Sequence, residues 1–159
     1  MSAHGSLTIR AAVAADLPAV LALYRELDAD EAIEPAKARA IFDRMACYPD
    51  YTLYAAEAGG AVLGTFTLLV MENIAHAGAR SGIIEAVAVA GAEQGRGIGR
   101  AMMRAALDLA QAKGCYKVSL STRMSRERAH VFYESLGFER HGFSYVTHLK
   151  EAPASGEAA

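Results

Sequence analysis

Cysteine is scarce in this sequence, and its scarcity argues against two classes of small protein. Cys47 and Cys115 are the only cysteines, and they are far apart in the sequence with no CxxC spacing. A disulfide framework needs several cysteines at short spacings, and a structural zinc site needs closely paired ligands. We therefore expect two reduced thiols that pack as small hydrophobic side chains, in a cytoplasmic protein.

Patterns typical of membrane, nucleic-acid and metal binding are also missing. No apolar run approaches the roughly 18 residues that a bilayer span requires, and residues 1–6 lack the basic-then-apolar order of a signal peptide. The 16 Lys and Arg residues are balanced by 18 Asp and Glu residues, so there is no basic excess for binding a phosphate backbone. We therefore expect no membrane or nucleic-acid partner. We also expect no metal site, because four histidines lack the spacing of metal ligands: His76, His130, His141 and His148.

The chain of 159 residues has the length of one domain. We predict that this domain covers residues 1–150 and that the small, polar segment 151–159 is a disordered tail. Hydrophobic periodicity and turn residues predict the order β-α-α-β-β-β-α-β-α-β, an α/β (α+β) fold with a mixed sheet and helices on both faces. The predicted elements are Leu7–Arg10, Leu17–Leu27, Pro35–Cys47, Tyr51–Ala58, Ala61–Met71, Ile83–Ala90, Ile98–Lys113, Tyr116–Ser121, Glu127–Leu136 and one or two strands within Phe138–Lys150.

Three local signals indicate how these elements begin and connect. Asp16 stands at the N-cap position of the first helix, with Pro18 in its first turn. The pair Gly59-Gly60 separates two strand patterns and predicts an antiparallel hairpin with a primed turn. The strand Tyr116–Ser121 follows a helical crossover, so we expect it to lie parallel to Ile83–Ala90.

The most informative segment is Gln94-Gly95-Arg96-Gly97-Ile98-Gly99, between a strand of branched apolar residues and a long amphipathic helix. Glycines let the backbone turn tightly and approach a ligand, while the first-turn N–H groups of a helix favour an anion. The segment therefore predicts a pyrophosphate-bearing cofactor. A P-loop is disfavoured because no Lys-Ser or Lys-Thr follows, and a dinucleotide fingerprint because the glycine spacing differs. A tight turn without a ligand stays open as an alternative.

Two separated motifs carry a resemblance to a known family. Gln94-x-x-Gly97-x-Gly99 follows the strand segment from Ile84 to Val89 and precedes the segment Ala129-His130-Val131-Phe132-Tyr133-Glu134-Ser135-Leu136-Gly137-Phe138. In this order the chain resembles the GNAT superfamily of N-acetyltransferases, from Leu7 to Lys150 in element order and most closely over Ile83–Phe138. Residues 121–123, 126, 129–130 and 143–145 show a weaker similarity to aminoalkylphosphonate N-acetyltransferases. The resemblance implies a GNAT-like mixed sheet whose strands splay apart.

The resemblance also implies acetyl-CoA as cosubstrate and assigns residues to it. The main chain of Val87 and Val89 would pair with the pantetheine amides as if the cofactor were an added strand. A bulge near Glu85–Val87 would open the sheet, and the Val87 N–H would meet the thioester carbonyl. Gln94 would brace the glycine loop. The pyrophosphate would be held by the backbone N–H groups of Gly95, Gly97, Gly99 and Arg100.

One position departs from the family pattern. Many members carry Asn three residues before the Ala of the second motif, where this chain has Arg126. Ser125 or Arg126 is a candidate substitute, and Arg123, Arg126 and Arg128 are candidates for contacting a CoA phosphate. Solvated basic residues at a loop-to-helix junction are the alternative interpretation.

Two residues are candidates for the acid–base chemistry. An alkyl ammonium has a pKa near ~10, so its deprotonation at neutral pH costs roughly 4 kcal/mol and calls for a base. Glu85 is the only ionisable residue in Ile83–Ala90, and it resembles the strand glutamate of several family members. Strand alternation puts it on the face of Val87 and Val89 unless the bulge changes its direction. By resemblance, Tyr133 would protonate the departing CoA thiolate. A solvent-facing Glu85 and a core Tyr133 are the alternatives.

We expect the acceptor to be a small molecule with a primary amine, acetylated directly through a ternary complex. Asp28, Asp30, Glu31 and Glu34 suit a cationic acceptor, whereas the weaker similarity favours an amine that carries an anion. A non-catalytic acyl-CoA-binding module and a protein acetyltransferase, acting on lysine or N-terminal amines, are the alternative functions. By family analogy we expect a homodimer, formed through Ala61–Met71 or the C-terminal strand.

Overall fold

The computed structural model describes residues 6–29 and 32–149. Their strands and helices follow the predicted order as far as the last helix. The strands are β1 Thr8–Ala11, β2 Tyr51–Ala58, β3 Ala61–Met71, β4 Arg80–Val89 and β5 Cys115–Ser119, and the helices are α1 Leu17–Leu27, α2 Pro35–Met45, α3 Ile98–Ala112 and α4 Glu127–Glu134.

The chain divides into two compact units, Met1–Leu120 and Ser121–Ala159. The first unit contains the five strands and helices α1 to α3, and the second contains α4. A single domain over residues 1–150 stays a prediction. The predicted tail 151–159 lies outside the described residues, as do Asp30, Glu31 and Lys150.

The five strands form one mixed sheet in the order β1-β2-β3-β4-β5. The first three neighbouring pairs are antiparallel, and β5 pairs with β4 in parallel, as the helical crossover predicted. Gly59 and Gly60, with φ of 60° and 80°, form the predicted turn between β2 and β3. The expectation of a mixed α/β sheet is therefore confirmed.

Helices α1 and α3 cover opposite faces of this sheet. Leu53 of β2 packs against Val20 of α1, and Leu53 pairs with Thr67 of β3, so both side chains lie on the α1 face. A Cβ on Gly64 would meet the Sδ of Met102 in α3. Gly64 and Thr67 are three positions apart on one strand and therefore face opposite sides. Because both faces are covered, the middle of β3 is buried throughout.

A charged cluster fixes the start of α1 against the sheet. Asp16 occupies the N-cap position, as predicted, but its carboxylate does not cap the helix. It accepts two hydrogen bonds from the Arg10 guanidinium, at 2.7 and 2.9 Å, and one from the Val13 N–H at 2.8 Å. Arg10 also donates to Glu57 of β2 at 2.8 Å. The Arg10 hydrogen bonds lower the pKa of the buried Asp16 carboxyl below its ordinary value.

The prediction of terminal strands within Phe138–Lys150 is wrong for the residues that the structure describes. Residues 138–149 contain no strand. Their apolar side chains include Phe143, Tyr145 and Val146, which are 85%, 91% and 81% exposed. Alternation predicts extended backbone, but a strand also requires a hydrogen-bonded neighbour, which a sequence pattern does not specify. Among the described helices, none has the length and apolar character needed to cross a bilayer.

Candidate active site

Strand β4 contains a bulge where its register against β3 changes. Between the pairs Thr67–Glu85 and Thr65–Ala88, β4 has one residue more than β3. Ala86 lies in this interval with φ of 51°, a left-handed conformation that costs a residue with a Cβ about 1–3 kcal/mol. Such strain persists only where surrounding contacts fix the backbone. The register change confirms the bulge that the resemblance implies near Glu85–Val87.

The bulge separates the side chain of Glu85 from those of the valines that follow. Glu85 pairs with Thr67, so its exposed side chain lies on the α1 face of the sheet. Val89 pairs with Gly64 on the α3 face, and strand alternation puts Val87 on the face of Val89. Uninterrupted alternation would have placed all three on one face. The added residue therefore turns Glu85 toward the side of the sheet that carries α1.

Strand β4 also extends beyond its neighbour β5, and in the described sheet no strand pairs with residues 84–89 on the β5 side, which we call the open edge. The pairing of β4 with β5 ends at Ile83 and Ser119, whereas β4 continues to Val89. The Ala90 N–H donates to a β3 carbonyl at 2.9 Å. Because main-chain groups alternate along a strand, Val87 and Val89 direct their N–H and C=O groups away from β3, toward the open edge. The splayed sheet implied by the resemblance is confirmed in this geometry.

The glycine loop connects this open edge to the N-terminus of α3. Gly95 has φ of 80° and Gly97, the N-cap residue of α3, has φ of 87°. A Cβ at either position would have no atom within 4 Å, so packing does not select glycine there; the left-handed backbone does. The first intrahelical bond runs from the Ala101 N–H to the Gly97 carbonyl. The helix therefore has no acceptor of its own for the N–H groups of its first turn, including that of Gly99.

Two side chains make hydrogen bonds to the backbone just before this loop, and the sequence analysis missed one of them. Gln94 Nε2 donates to the Val89 carbonyl at 3.3 Å, which is the contact expected of a brace. Glu26 of α1 accepts a hydrogen bond from the Gly91 N–H at 2.8 Å through its Oε2. Glu26 and Gly91 are far apart in the sequence, and a contact between distant residues leaves no local sequence pattern. The role of Glu26 could therefore not be predicted from the sequence.

The second unit contains Tyr133 on α4. Its ring lies against Phe132 and Phe138, with centroids 5.1 and 5.7 Å away in edge arrangements. Burial raises the pKa of the Tyr133 phenol, and the positive charge of Arg126 partly opposes this effect. The phenol is protonated across the neutral range with or without this shift, as a proton donor must be, and the raised pKa makes it a weaker acid.

Arg126 is the N-cap residue of α4, and its side chain is exposed, like those of Arg123 and Arg128. The Arg126 carbonyl accepts the N–H groups of Ala129 and His130, at 3.0 and 3.2 Å. The His130 ring nitrogen Nε2 lies 3.1 Å from the Arg123 carbonyl oxygen. These bonds order the start of α4 and leave the guanidinium of Arg126 at the surface. Whether it contacts a phosphate stays a prediction.

Cys115 lies at the other end of β4 from the glycine loop. It pairs with Arg80, the first residue of the ten-residue strand, and such a strand is roughly 30 Å long. Burial raises the pKa of the Cys115 thiol, which disfavours the nucleophilic thiolate. Cys47 is exposed, so the expectation that both thiols pack as small hydrophobic side chains is wrong for Cys47. In residues 6–29 and 32–149, no three His, Cys, Asp or Glu side chains form a group suited to a metal ion.

Taken together, the first unit presents a bulged strand with an open edge, leading into a glycine loop at a helix N-terminus. A strand edge followed by a helix N-terminus is chemically suited to an extended ligand that ends in an anionic group. Residues 9–138 match the family model described as "Acetyltransferase (GNAT) family". The chain belongs to this family, which confirms the resemblance found from the sequence.

Individual relatives agree with the family assignment. The chain is 35% identical over 82 residues to glucosamine 6-phosphate N-acetyltransferase of Trypanosoma brucei brucei, covering 52% of this chain and 54% of that protein. It is 30% identical over 127 residues to a protein of Oryza sativa subsp. japonica named "Probable glucosamine 6-phosphate N-acetyltransferase 2", covering 77% and 75%. The chain thus spans about half the length of the first relative.

A solved structure shows the same fold over nearly the whole chain. It is described as "Putative acetyltransferase from Agrobacterium tumefaciens str. C58", with a TM-score of 0.85 and 34% identity. The similarity covers 89% of this chain and 99% of that one. The fold is therefore that of the family, including the mixed sheet expected from the sequence.

Proposed function

We propose that this protein is an acetyl-CoA-dependent N-acetyltransferase that transfers the acetyl group directly to the primary amine of a small molecule. The observation that carries the proposal is the open edge of β4, which leads from the bulge into the glycine loop. Membership in the GNAT family supports it. A strand edge, a bulge and a helix N-terminus in this order suit the pantetheine, the thioester and the diphosphate of one ligand.

In this proposal the main chain holds the cofactor. Val87 and Val89 pair with the pantetheine amides, because their N–H and C=O groups point to the open edge. The glycine loop holds the diphosphate through N–H groups and the helix dipole, and Gln94 keeps the loop in place. The loop residues proposed to contact the diphosphate are Gly95, Gly97, Gly99 and Arg100, with Arg126 as a further candidate.

The chemistry requires a neutral amine, a stabilised oxyanion and a leaving thiolate. Glu85 serves as the base, directly or through water, because the bulge turns its carboxylate to the α1 face. The Val87 N–H donates to the thioester oxygen as negative charge develops on it. Tyr133, whose phenol is protonated at neutral pH, donates its proton to the departing thiolate. No cysteine takes part, so no acetyl-enzyme forms.

The acceptor is proposed to be a small amine that carries an anionic group. The names of two relatives specify glucosamine 6-phosphate, and this amino sugar phosphate is therefore the first acceptor to test. Aminoethylphosphonate is the second, because of the weaker sequence similarity. Glucosamine is the matched control, since it offers the same amine without the phosphate.

The testing experiment measures thiol release from acetyl-CoA with these three amines, a polyamine and a lysine peptide. We expect release that depends on both enzyme and amine and is fastest with an anionic acceptor. Binding of acetyl-CoA without turnover of any amine would favour a non-catalytic acyl-CoA-binding module. Turnover of the peptide alone would favour a protein acetyltransferase.

We further propose a homodimer formed through the C-terminal segment and a cytoplasmic location. Strand β3, the other predicted interface, lies between β2 and β4 and is mostly buried, so its edges are taken. The segment 143–149 instead exposes Phe143, Tyr145, Val146 and Leu149, and an apolar surface of this kind suits burial against a second copy. Two free thiols suit a reducing compartment. Light scattering of the purified protein at twice the monomer mass would support the dimer, and a monomer mass would refute it.

A further inference from the structure

Thr67 is a polar residue in the buried middle of β3 and has no role in the proposed mechanism described above. Its side chain is 5% exposed. Its hydroxyl donates a hydrogen bond of 3.1 Å to the main-chain carbonyl of Glu85 on the neighbouring strand. That carbonyl belongs to the peptide immediately before Ala86, the residue with φ of 51°.

The bond is placed at the beginning of the bulge. Fixing the Glu85 carbonyl orients the peptide between Glu85 and Ala86, and the left-handed conformation of Ala86 then sets the direction of the next N–H, that of Val87. The side chain of Glu85 leaves the same backbone segment. One hydroxyl therefore acts on the orientation of two groups that the proposed mechanism requires.

We propose that Thr67 is a positioning residue for acetyl transfer, whose hydroxyl holds the bulged backbone that directs the Val87 N–H and the Glu85 carboxylate. This inference depends on the proposed function for its catalytic consequence. The structural part of the inference, that the hydroxyl fixes the bulge, does not depend on the proposed function. The two are therefore separable by experiment.

The chain offers a matched control on the same strand. Thr65 is also buried, at 0% exposure, and its hydroxyl donates to the Tyr54 carbonyl at 2.8 Å. This bond goes to β2, on the side of β3 away from the bulge. Thr65→Val thus removes a similar hydrogen bond from a similar environment without touching the Glu85 peptide.

The kinetic test compares Thr67→Val, Thr67→Ser and Thr65→Val with the parent, using the best acceptor found in the thiol-release assay. We expect Thr67→Val to lower kcat about tenfold, the scale of one lost hydrogen bond, while the KM for acetyl-CoA changes less than threefold. Thr67→Ser keeps the hydroxyl and should stay within about twofold of the parent kcat, as should Thr65→Val. Equal kcat for Thr67→Val and Thr65→Val would overturn the catalytic part.

A second measurement does not depend on enzyme activity, and it tests whether the Thr67 hydroxyl fixes the bulge. Amide hydrogen exchange over residues 85–88 should be about tenfold faster in Thr67→Val than in Thr65→Val, because the bulge loses a constraint. Equal exchange in the two variants would overturn the inference even if the parent is an active enzyme. If the exchange differs but no amine is acetylated by the parent, the proposed function fails and the structural role of Thr67 stands.

Discussion

Replacing Gly95 by alanine separates the role of the glycine loop in ligand binding from its role in folding. Gly95 has φ of 80°, and a Cβ there meets no atom within 4 Å. The substitution therefore strains the backbone without a steric clash, at a cost of about 1–2 kcal/mol in the free energy of unfolding. For a chain of this size that corresponds to a decrease in Tm of roughly 2–8 °C.

The effect on acetyl-CoA binding is expected to be larger than this strain alone. The added methyl occupies the open space proposed for the diphosphate, and relief of the strain turns the Gly95 N–H away from it. Losing one hydrogen bond to a charged group costs about 1.5–3 kcal/mol, or roughly a 10- to 150-fold increase in Kd. Isothermal titration calorimetry with acetyl-CoA measures this Kd, and thermal unfolding measures the strain.

Gly60→Ala is the matched control. Gly60 lies in the hairpin turn between β2 and β3, also has φ of 80°, and also has no atom within 4 Å of an added Cβ. We expect a similar loss of Tm in both variants and a loss of affinity in Gly95→Ala alone. If the two variants bind acetyl-CoA equally well, the glycine loop does not hold the diphosphate and the reasoning is refuted.

Three further substitutions test the acid, the base and the charged cluster. Tyr133→Phe should lower kcat by about 10- to 100-fold with little change in the Kd of acetyl-CoA, and an unchanged kcat in steady-state assays would remove Tyr133 from the mechanism. Glu85→Gln should lower kcat/KM by about 10²-fold near neutral pH and less at alkaline pH, where the amine loses its proton unaided; identical pH–rate profiles from pH 6 to 9 would exclude the proposed base. Asp16→Asn should lower the free energy of unfolding by about 2–4 kcal/mol at pH 7, because Asp16 accepts two bonds from the cation Arg10. Since the folded-state pKa of Asp16 is depressed, its stabilisation is present above the unfolded pKa near ~4 and is lost as the pH falls through the folded value. Denaturant unfolding should therefore show the variant and parent converging in acid, and a constant difference would contradict the assignment.

Most of the sheet could be predicted from the sequence, because the residues that define its turns and connections are close to one another in the chain. The Gly59-Gly60 turn, the helical crossover before β5 and the glycines before α3 each act within a few residues of the element that they define. The position of the candidate site on β4 was predictable, because the first family motif directly follows this strand. Its bulge was expected from the resemblance and is present at Ala86.

What the sequence did not specify depends on contacts between distant segments. The direction of Glu85 follows from the register of β4 against β3, which a single strand pattern does not contain. The bonds from Gly91 to Glu26 and from Thr67 to the Glu85 carbonyl join different elements. The expected terminal strands failed for the same reason, because residues 138–149 have a strand-like pattern but no strand pairing in the structure described.

The most direct test of the central claim is calorimetric titration of the parent protein with acetyl-CoA and, separately, with S-acetylpantetheine, which lacks the diphosphate and the nucleotide. Both ligands offer the same thioester and the same pantetheine amides to the open edge of β4. We expect one acetyl-CoA site per chain, with an affinity at least tenfold greater than that for S-acetylpantetheine, the scale of one charge-assisted hydrogen bond at the glycine loop. Equal affinities for the two ligands, or no heat of binding with acetyl-CoA, would contradict the account.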